Sequence, residues 1–286
     1  MNIAFWNIAS KEDKKKTADE QKDITDTIVQ FILERDIDII CLAESRNQLI
    51  LSIIKQIFDI TGLTYNHVLS SKEKVSIISF YDLSVFEDKG GLYPSPRWAA
   101  HYINLPSIIE LNLISVHFPS KVDWPASSQA LECVNLSRDI QLIEKETKCI
   151  NTVVIGDFNM NPFEDGMVAA NGLNAVSDLD YASDNPKGRE INKEHYRYFY
   201  NPMWNFFGDS KKTPGTHYYR TSGHVSHEWN MYDQVIIRPS LKDYLTLPCV
   251  DIIKKIHTSD LTAGKYGRPD SAKFSDHLPI ILRINT

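Results

Sequence analysis

Thr152-Val153-Val154-Ile155-Gly156-Asp157-Phe158-Asn159 decides how this chain folds and where it acts. Four β-branched residues in a row predict a buried strand. Gly156 then lets the backbone turn or approach a ligand closely. In extended geometry Asp157 and Asn159 project to the same side, because side-chain direction alternates along a strand. A carboxylate that can accept a proton and an amide that can donate and accept thus stand together at a strand end. By themselves, Asp and Asn at such a corner also suit a plain turn.

Outward from this run, the chain alternates strand and helix and then becomes strand-rich. Asn2–Ile8 predicts a strand and Asp23–Arg35 a helix, with Ile24, Ile28, Phe31 and Ile32 on one stripe. Asp36–Leu42 predicts a strand leading to Glu44, and Leu49–Ile60 a second amphipathic helix ending near Gly62. Val75–Phe80, Trp98–Ile103 and Ile108–Val116 are short β-rich runs, broken by Gly90-Gly91, Pro94 and Pro96, that predict neighbouring antiparallel strands. A charged loop is expected at Lys11–Lys16. Pro125–Glu146 predicts a long helix with Leu131, Val134 and Leu142 as its stripe and Pro125 in its first turn. A short helix is expected after Pro162, and late strands at Tyr232–Arg238 and Leu278–Ile284. No repeat or linker divides the 286 residues, so one α+β domain is expected, two mixed sheets face to face with helices outside.

Composition narrows the classes. Hydrophobic residues make up 42% and charged residues 24%, as in ordinary globular proteins. The net charge of −6 provides no global field drawing the chain to nucleic acid or an anionic membrane. Cys41, Cys133, Cys149 and Cys249 show no CxxC spacing, which argues against a zinc knuckle or redox motif. Cys41 and Cys249 sit in apolar surroundings that suit small buried residues. No signal peptide and no membrane-length apolar run is visible, so a cytoplasmic protein is the expectation.

Polar groups collect at the predicted strand ends, where layered scaffolds carry their function. They are Asn7, Glu44, His117, Asp157, Asn159, Asp233, and Asp276 with His277. Each alone suits a cap, a turn or a structural histidine. Their order along the chain resembles the endonuclease/exonuclease/phosphatase superfamily, with a DNase I-like fold. The matching text is Trp6-Asn7-Ile8, Leu42-Ala43-Glu44, Val116-His117-Phe118, Gly156-Asp157-Phe158-Asn159, Tyr232-Asp233-Gln234 and Ser275-Asp276-His277-Leu278-Pro279. Members often have Gln where this chain has Ala43, and Arg-Ile where it has Met231-Tyr232. The chain lacks the Trp-Cys-Asp-Arg signature of inositol polyphosphate 5-phosphatases. It also lacks the Gly-Leu-Arg continuation common after Trp6-Asn7-Ile8 in abasic-site endonucleases.

The resemblance implies a four-layer α/β/β/α sandwich and hydrolysis of a phosphate ester. It implies Mg²⁺, with Mn²⁺ able to substitute, bound by Glu44 with Asn7 and Asp276 in support. Asp157 would orient and deprotonate water, and Asn159 would fix the water or the phosphate. His277, paired with Asp233, and His117 would hold the phosphate. Arg97 is a further candidate for substrate contact. The aromatic and basic stretch Tyr196–Trp229, including Trp204, Tyr218, Lys211 and Lys212, is a candidate surface for bases and phosphates. Thr216-His217-Tyr218 and His224-Val225-Ser226-His227 invite a zinc reading, which the lack of cysteines and the spacing disfavour. The substrate class remains open between a nucleic-acid phosphodiester and a small-molecule, lipid-headgroup or sugar phosphate. A catalytically silent binding module on the same fold is the third alternative.

Overall fold

Among the described residues, eight strands lie between Asn2 and Asp157. They are β1 (Asn2–Asn7), β2 (Ile39–Ala43), β3 (Asn66–Val68), β4 (Val75–Ser79), β5 (Phe86–Asp88), β6 (Trp98–Leu105), β7 (Ile109–His117) and β8 (Thr152–Asp157). Three long helices lie among them, α1 (Ala18–Glu34), α2 (Asn47–Thr61) and α3 (Ala126–Thr147). The computed structural model describes residues 1–9, 18–70, 74–90, 96–207, 213–222, 224 and 226–286. The expected Lys11–Lys16 loop, Gly91, Pro94, Lys211, Lys212 and Val225 lie outside the described residues.

The strands form two large mixed sheets. The first has six strands in the order Val250–Ile252, Ile280–Arg283, β1, β2, β4, β3. The second has seven, β5, β6, β7, β8, then Asp233–Ile237, Phe199–Tyr200 and Ala175–Val176. The period-two alternation of β1 and β8 packs the sheets face to face. Ile3 and Phe5 from β1 and Val153 and Ile155 from β8 point into one shared core. Ala4 and Trp6 point outward instead, under α1 and α2. Val154 points outward under α3. The result is the expected helix–sheet–sheet–helix sandwich.

The predicted helices α1 and α2 bury the stripes read from the sequence, Ile24, Ile28, Phe31 and Ile32 in one and Ile50, Ile53 and Ile57 in the other. Gly62 ends α2 with φ 72°, its N–H bonded to Phe58 O. The stripe named for α3 needs correction, because Leu131 is 64% exposed and Leu142 37%. Its buried face is Cys133, Leu136, Ile140 and Ile143, interleaved with buried Gln129, Asp139 and Glu144. Those polar groups are tolerated because each is bonded: Gln129 to Pro119 O, Asp139 to the Trp98 indole, Glu144 to Arg238. Pro125 is the cap before the helix rather than part of its first turn. β2 begins at Ile39, three residues later than expected. Asp36 takes a left-handed turn at φ 48°, and the Asp38 carboxylate is spent accepting the Asn2 N–H at 2.7 Å.

Direction places the site. β1 and β2 run parallel, as do β7 and β8. Their C-terminal residues therefore finish at the same end of each sheet. The antiparallel strand Asp233–Ile237 begins at that end.

Candidate active site

One rung crosses three adjacent strands of the second sheet. His117 on β7 pairs with Asp157 on β8, and Asp157 pairs with Asp233. Gly156 makes this rung possible, since a Cβ there would stand 2.1 Å from Val116 O. Across the inter-sheet gap, the Asn7 amide donates to Asp157 Oδ2 at 3.0 Å and to Glu44 Oε1 at 3.3 Å. One buried side chain from β1 thereby ties both carboxylates together. Asn7 Oδ1 accepts the Ala9 N–H at 3.0 Å, which fixes the amide orientation. Glu44 leaves β2 with φ 54°, turning its partly exposed side chain toward this cluster.

Asp157 is 1% exposed and well supplied with donors. Its Oδ1 accepts the Asn159 N–H at 2.8 Å, and its Oδ2 accepts the Asn159 side-chain amide at 3.2 Å. Asn159 holds a left-handed backbone at φ 50° and also donates to Phe118 O at 2.9 Å. His117 Nε2 lies 3.5 Å from Glu44 Oε1 and 4.0 Å from Asp157 Oδ2. His277 Nε2 stands 4.0 Å from Asp157 Oδ2 on the other side. Two histidines therefore flank one carboxylate.

His277 Nδ1 is 2.8 Å from Asp233 Oδ2. Burial by itself would disfavour the imidazolium, but the Asp233, Asp157 and Asp276 carboxylates outweigh it and lift the His277 pKa to about 10. Burial likewise lifts the Asp233 carboxyl, against the opposing pull of His277. The pair holds its proton tightly, and the histidine is the member surrounded by negative charge. Asp233 is further anchored by its N–H to the Thr216 hydroxyl at 3.0 Å.

These residues line a cleft of about 780 Å³ that also includes Lys121, Glu164, His217, Tyr219, His227 and Tyr232. Asn7, Glu44, His117, Asp157, Asn159, Asp276 and His277 all face it. Arg97, Tyr218 and Trp204 are not among the residues lining it. Arg97 accepts the His117 N–H through its carbonyl at 2.7 Å and places its guanidinium 5.7 Å from the Trp124 ring centre. The Tyr218 hydroxyl donates to Glu228 at 2.9 Å. Trp204 packs on Phe163 and Phe207, behind a wall whose inner surface is His227. Among the cleft-lining residues that the sequence reading set aside or passed over are His217 and Tyr232. His217 reaches the cleft through the pairing of His217–Tyr218 with Trp229–Asn230 and the bond from the Asp233 N–H to the Thr216 hydroxyl, which only the folded register shows.

Two mixed sheets packed face to face, with this carboxylate, amide and histidine cluster at one end, define a DNase I-like α+β protein. The chain belongs to the Endonuclease/Exonuclease/phosphatase family, whose model matches residues 4–277. Members of that family are hydrolases acting on phosphate esters and generally use divalent metal ions. Among solved structures, the chain is similar to an endonuclease/exonuclease/phosphatase family protein from Leptotrichia buccalis (14% identity, TM-score 0.56, all of both chains covered). It is also similar to an AP endonuclease from Archaeoglobus fulgidus (16%, TM-score 0.55, all of both chains covered). A third is TDP2 from D. rerio complexed with single strand DNA product (13%, TM-score 0.54, covering 100% of this chain and 99% of that one). A search of curated protein sequences gave no match. No described helix is long and apolar enough to cross a membrane.

Proposed function

We propose that the chain is a divalent-metal-dependent phosphodiesterase of the nuclease kind, in which a water held at Asp157 attacks the phosphorus. The observation that carries this reading is the His117–Asp157–Asp233 rung, met from the opposite sheet by Asn7, Glu44 and His277.

The donors suit a hard cation. Glu44 and Asp276 offer carboxylate oxygens, which Mg²⁺ prefers, with Mn²⁺ tolerated. Asp276 Oδ1 is buried without a hydrogen-bond partner among the described residues, a state that a bound cation would relieve. Glu44 would hold the ion, Asp276 would support it, and Asn7 would keep Glu44 in place. When bound, such an ion polarises a phosphoryl oxygen and steadies the leaving oxygen.

The chain's own groups do the rest. Asn159 locks the Asp157 carboxylate from both oxygens, so one face stays aimed at the water whose proton it accepts. His277, held as imidazolium by Asp233, donates from Nε2 to a non-bridging phosphoryl oxygen as charge builds there. His117 holds the phosphate from the far side. Tyr219, Tyr232 and His227 give the cleft aromatic faces on which bases can stack. The AP endonuclease and the DNA-bound TDP2 among the similar structures support a nucleic-acid substrate. The net charge of −6 favours a short or single-stranded substrate over a long duplex.

The test is a panel of single- and double-stranded DNA, RNA, abasic DNA, inositol phosphates and a generic phosphodiester, each with Mg²⁺ and with EDTA. EDTA should abolish turnover, and Asp157→Ala and His277→Ala should each lower kcat at least about a hundredfold with the fold intact. Turnover near wild type in either variant refutes the assignment. Cleavage confined to inositol phosphates would replace the nuclease reading with the small-phosphate one, and silence on every substrate would favour a binding module.

A further inference from the structure

Arg238 stands at the far end of the second sheet from the cleft. It follows the strand that Asp233 opens, and that length of strand sets the two about 17 Å apart. The residue is 6% exposed, and its guanidinium sits over the Phe199 ring, 3.8 Å from the ring centre. A guanidinium has five N–H donors. Nε donates to Glu144 Oε1 at 2.8 Å, and Nη1 donates to the carbonyls of Arg197 at 3.1 Å and Tyr198 at 3.0 Å. The two N–H groups of Nη2 have no acceptor among the described residues. Glu144 is spent elsewhere, since Oε1 also accepts the Thr152 hydroxyl at 2.9 Å and Oε2 takes Arg197 Nη1 at 3.4 Å. A buried cation thus keeps an open donor edge, and such an edge calls for an acceptor.

Arg238 lines a cavity of about 450 Å³ between the end of α3 and residues 195–199. Lys145, Lys148 and Arg197 line it too, and Glu144 is the one carboxylate among its described lining residues. Both lysines are exposed. The acidic neighbours in the chain are engaged with other groups, Glu146 with Lys89 at 2.8 Å and Glu194 with the Tyr196 hydroxyl at 2.8 Å. Positive charge is therefore concentrated here in a chain of net charge −6. The cavity shares no lining residue with the catalytic cleft. A second cavity of about 360 Å³ meets it at Ile150, Arg197 and Arg238, and its further walls include Tyr198, Pro186 and Pro239. Each has the size of a small-molecule site.

We infer that these adjoining cavities form a second binding site, remote from the catalytic cleft, for a phosphomonoester. Its phosphate is held by Arg238 Nη2, Arg197, Lys145 and Lys148, and its organic body lies against Ile150, Tyr198 and Pro239. A phosphomonoester brings nearly two negative charges and three acceptor oxygens, which answers the excess of cations over Glu144. A carboxylate or a diester brings one charge. Guanidinium groups present paired donors that fit phosphate oxygens. The inference goes beyond the phosphodiesterase reading and does not depend on it.

Calorimetric titration of inorganic phosphate and of phenyl phosphate into the protein in EDTA tests it, with ³¹P NMR confirming that the ester survives. The wild type should bind both, phenyl phosphate at least about threefold more tightly through its buried ring. The double variant Lys145→Glu/Lys148→Glu should weaken both at least about tenfold. His277→Ala, in the cleft, should move either Kd less than about twofold. Should the lysine variant melt early, Arg197→Gln must show the same direction of loss. No binding by about 10 mM ligand, or binding that survives the lysine and arginine substitutions, overturns the inference. Binding lost in His277→Ala instead assigns the phosphate to the cleft and overturns it too. Equal affinity for the two ligands overturns the assignment of an organic body. Turnover on any phosphate ester leaves each of these outcomes unchanged, so failure here and failure of the phosphodiesterase reading are told apart.

Discussion

Replacing Gly156 by alanine should cost both stability and turnover, and the structure sets the size of the cost. The new Cβ would lie 2.1 Å from Val116 O, 2.7 Å from Val116 N and 2.7 Å from Val116 Cγ2. Two of these neighbours are backbone atoms of the adjacent parallel strand, so no rotamer change clears them. Relief to a minimal 3.0 Å contact needs a displacement of 3.0 − 2.1 = 0.9 Å. One bond is most exposed to it, the Phe118 N–H to Asp157 O at 2.8 Å, which would stretch to 2.8 + 0.9 = 3.7 Å and break. Overpacking of a filled interior costs about 1–3 kcal/mol. Leaving a buried donor unpaired adds about 1–3 kcal/mol. A φ of 155° adds strain for any residue with a Cβ. A loss of about 3 kcal/mol or more is expected, read as a lower urea midpoint with unchanged slope. The same displacement moves His117 relative to Asp157, so kcat should fall about a hundredfold at temperatures where the variant stays folded. A variant within about 1 kcal/mol of wild type, and fully active, would refute the claim that this glycine sets the catalytic rung.

Three further outcomes follow from groups away from the chemistry. Arg238 and Glu144 form a buried pair at 2.8 Å, with Thr152 also donating to Glu144 and Arg238 also donating to the carbonyls of Arg197 and Tyr198; Arg238→Met should cost about 3–5 kcal/mol in urea unfolding, and adding Glu144→Gln should restore a large part of it. Burial, then the Asp38 and Asp36 carboxylates, push the Tyr65 hydroxyl from 10.0 to about 12. Its contribution is therefore complete below pH 10 and lost as pH rises toward 12; a pH series of unfolding free energies should show stability falling across that window, and Tyr65→Phe should lack the fall. All four cysteines are free and buried, and burial pushes the Cys41 thiol up to about 12; a thiol reagent at pH 8 should label almost none in the native protein and four after denaturation, and rapid native labelling of Cys41 would contradict the packed inter-sheet core.

The fold was legible wherever one residue period ran unbroken. β1, β2 and β8 carry apolar residues on both faces, and those faces enter two different cores. α1 and α2 announce themselves through Ile, Phe and Leu at helical spacing. α3 does not, because its buried face mixes Cys133 and Leu136 with Gln129, Asp139 and Glu144. A hydropathy pattern cannot credit a buried carboxylate whose partner, Arg238, lies 94 residues away. Residues 177–230 resisted reading for a related reason. Their described elements are two to six residues long, and Phe199–Tyr200 pairs outside the region altogether, with both Ala175–Val176 and the Asp233–Ile237 strand.

The site was legible as an order of residues along the chain, but its physics was not. Asn7 invites a ligand role by its place after β1, yet its carbonyl oxygen is occupied by Ala9 and its amide bridges Glu44 to Asp157. It is the clamp between the sheets. His217 shows the converse. In the sequence it is one histidine in a polar stretch, and zinc spacing argues against it. In the fold, the pairing of Thr216 with Leu278, Asn230 and Asp233 brings it to the Asp276 carboxylate. Ligand-motif arguments count separations along the chain, whereas this site is assembled from the ends of strands in two sheets. Spacing rules therefore detect a metal centre contained in one loop. They pass over a cleft whose lining residues, such as His217 and Asp276, come from segments about sixty residues apart.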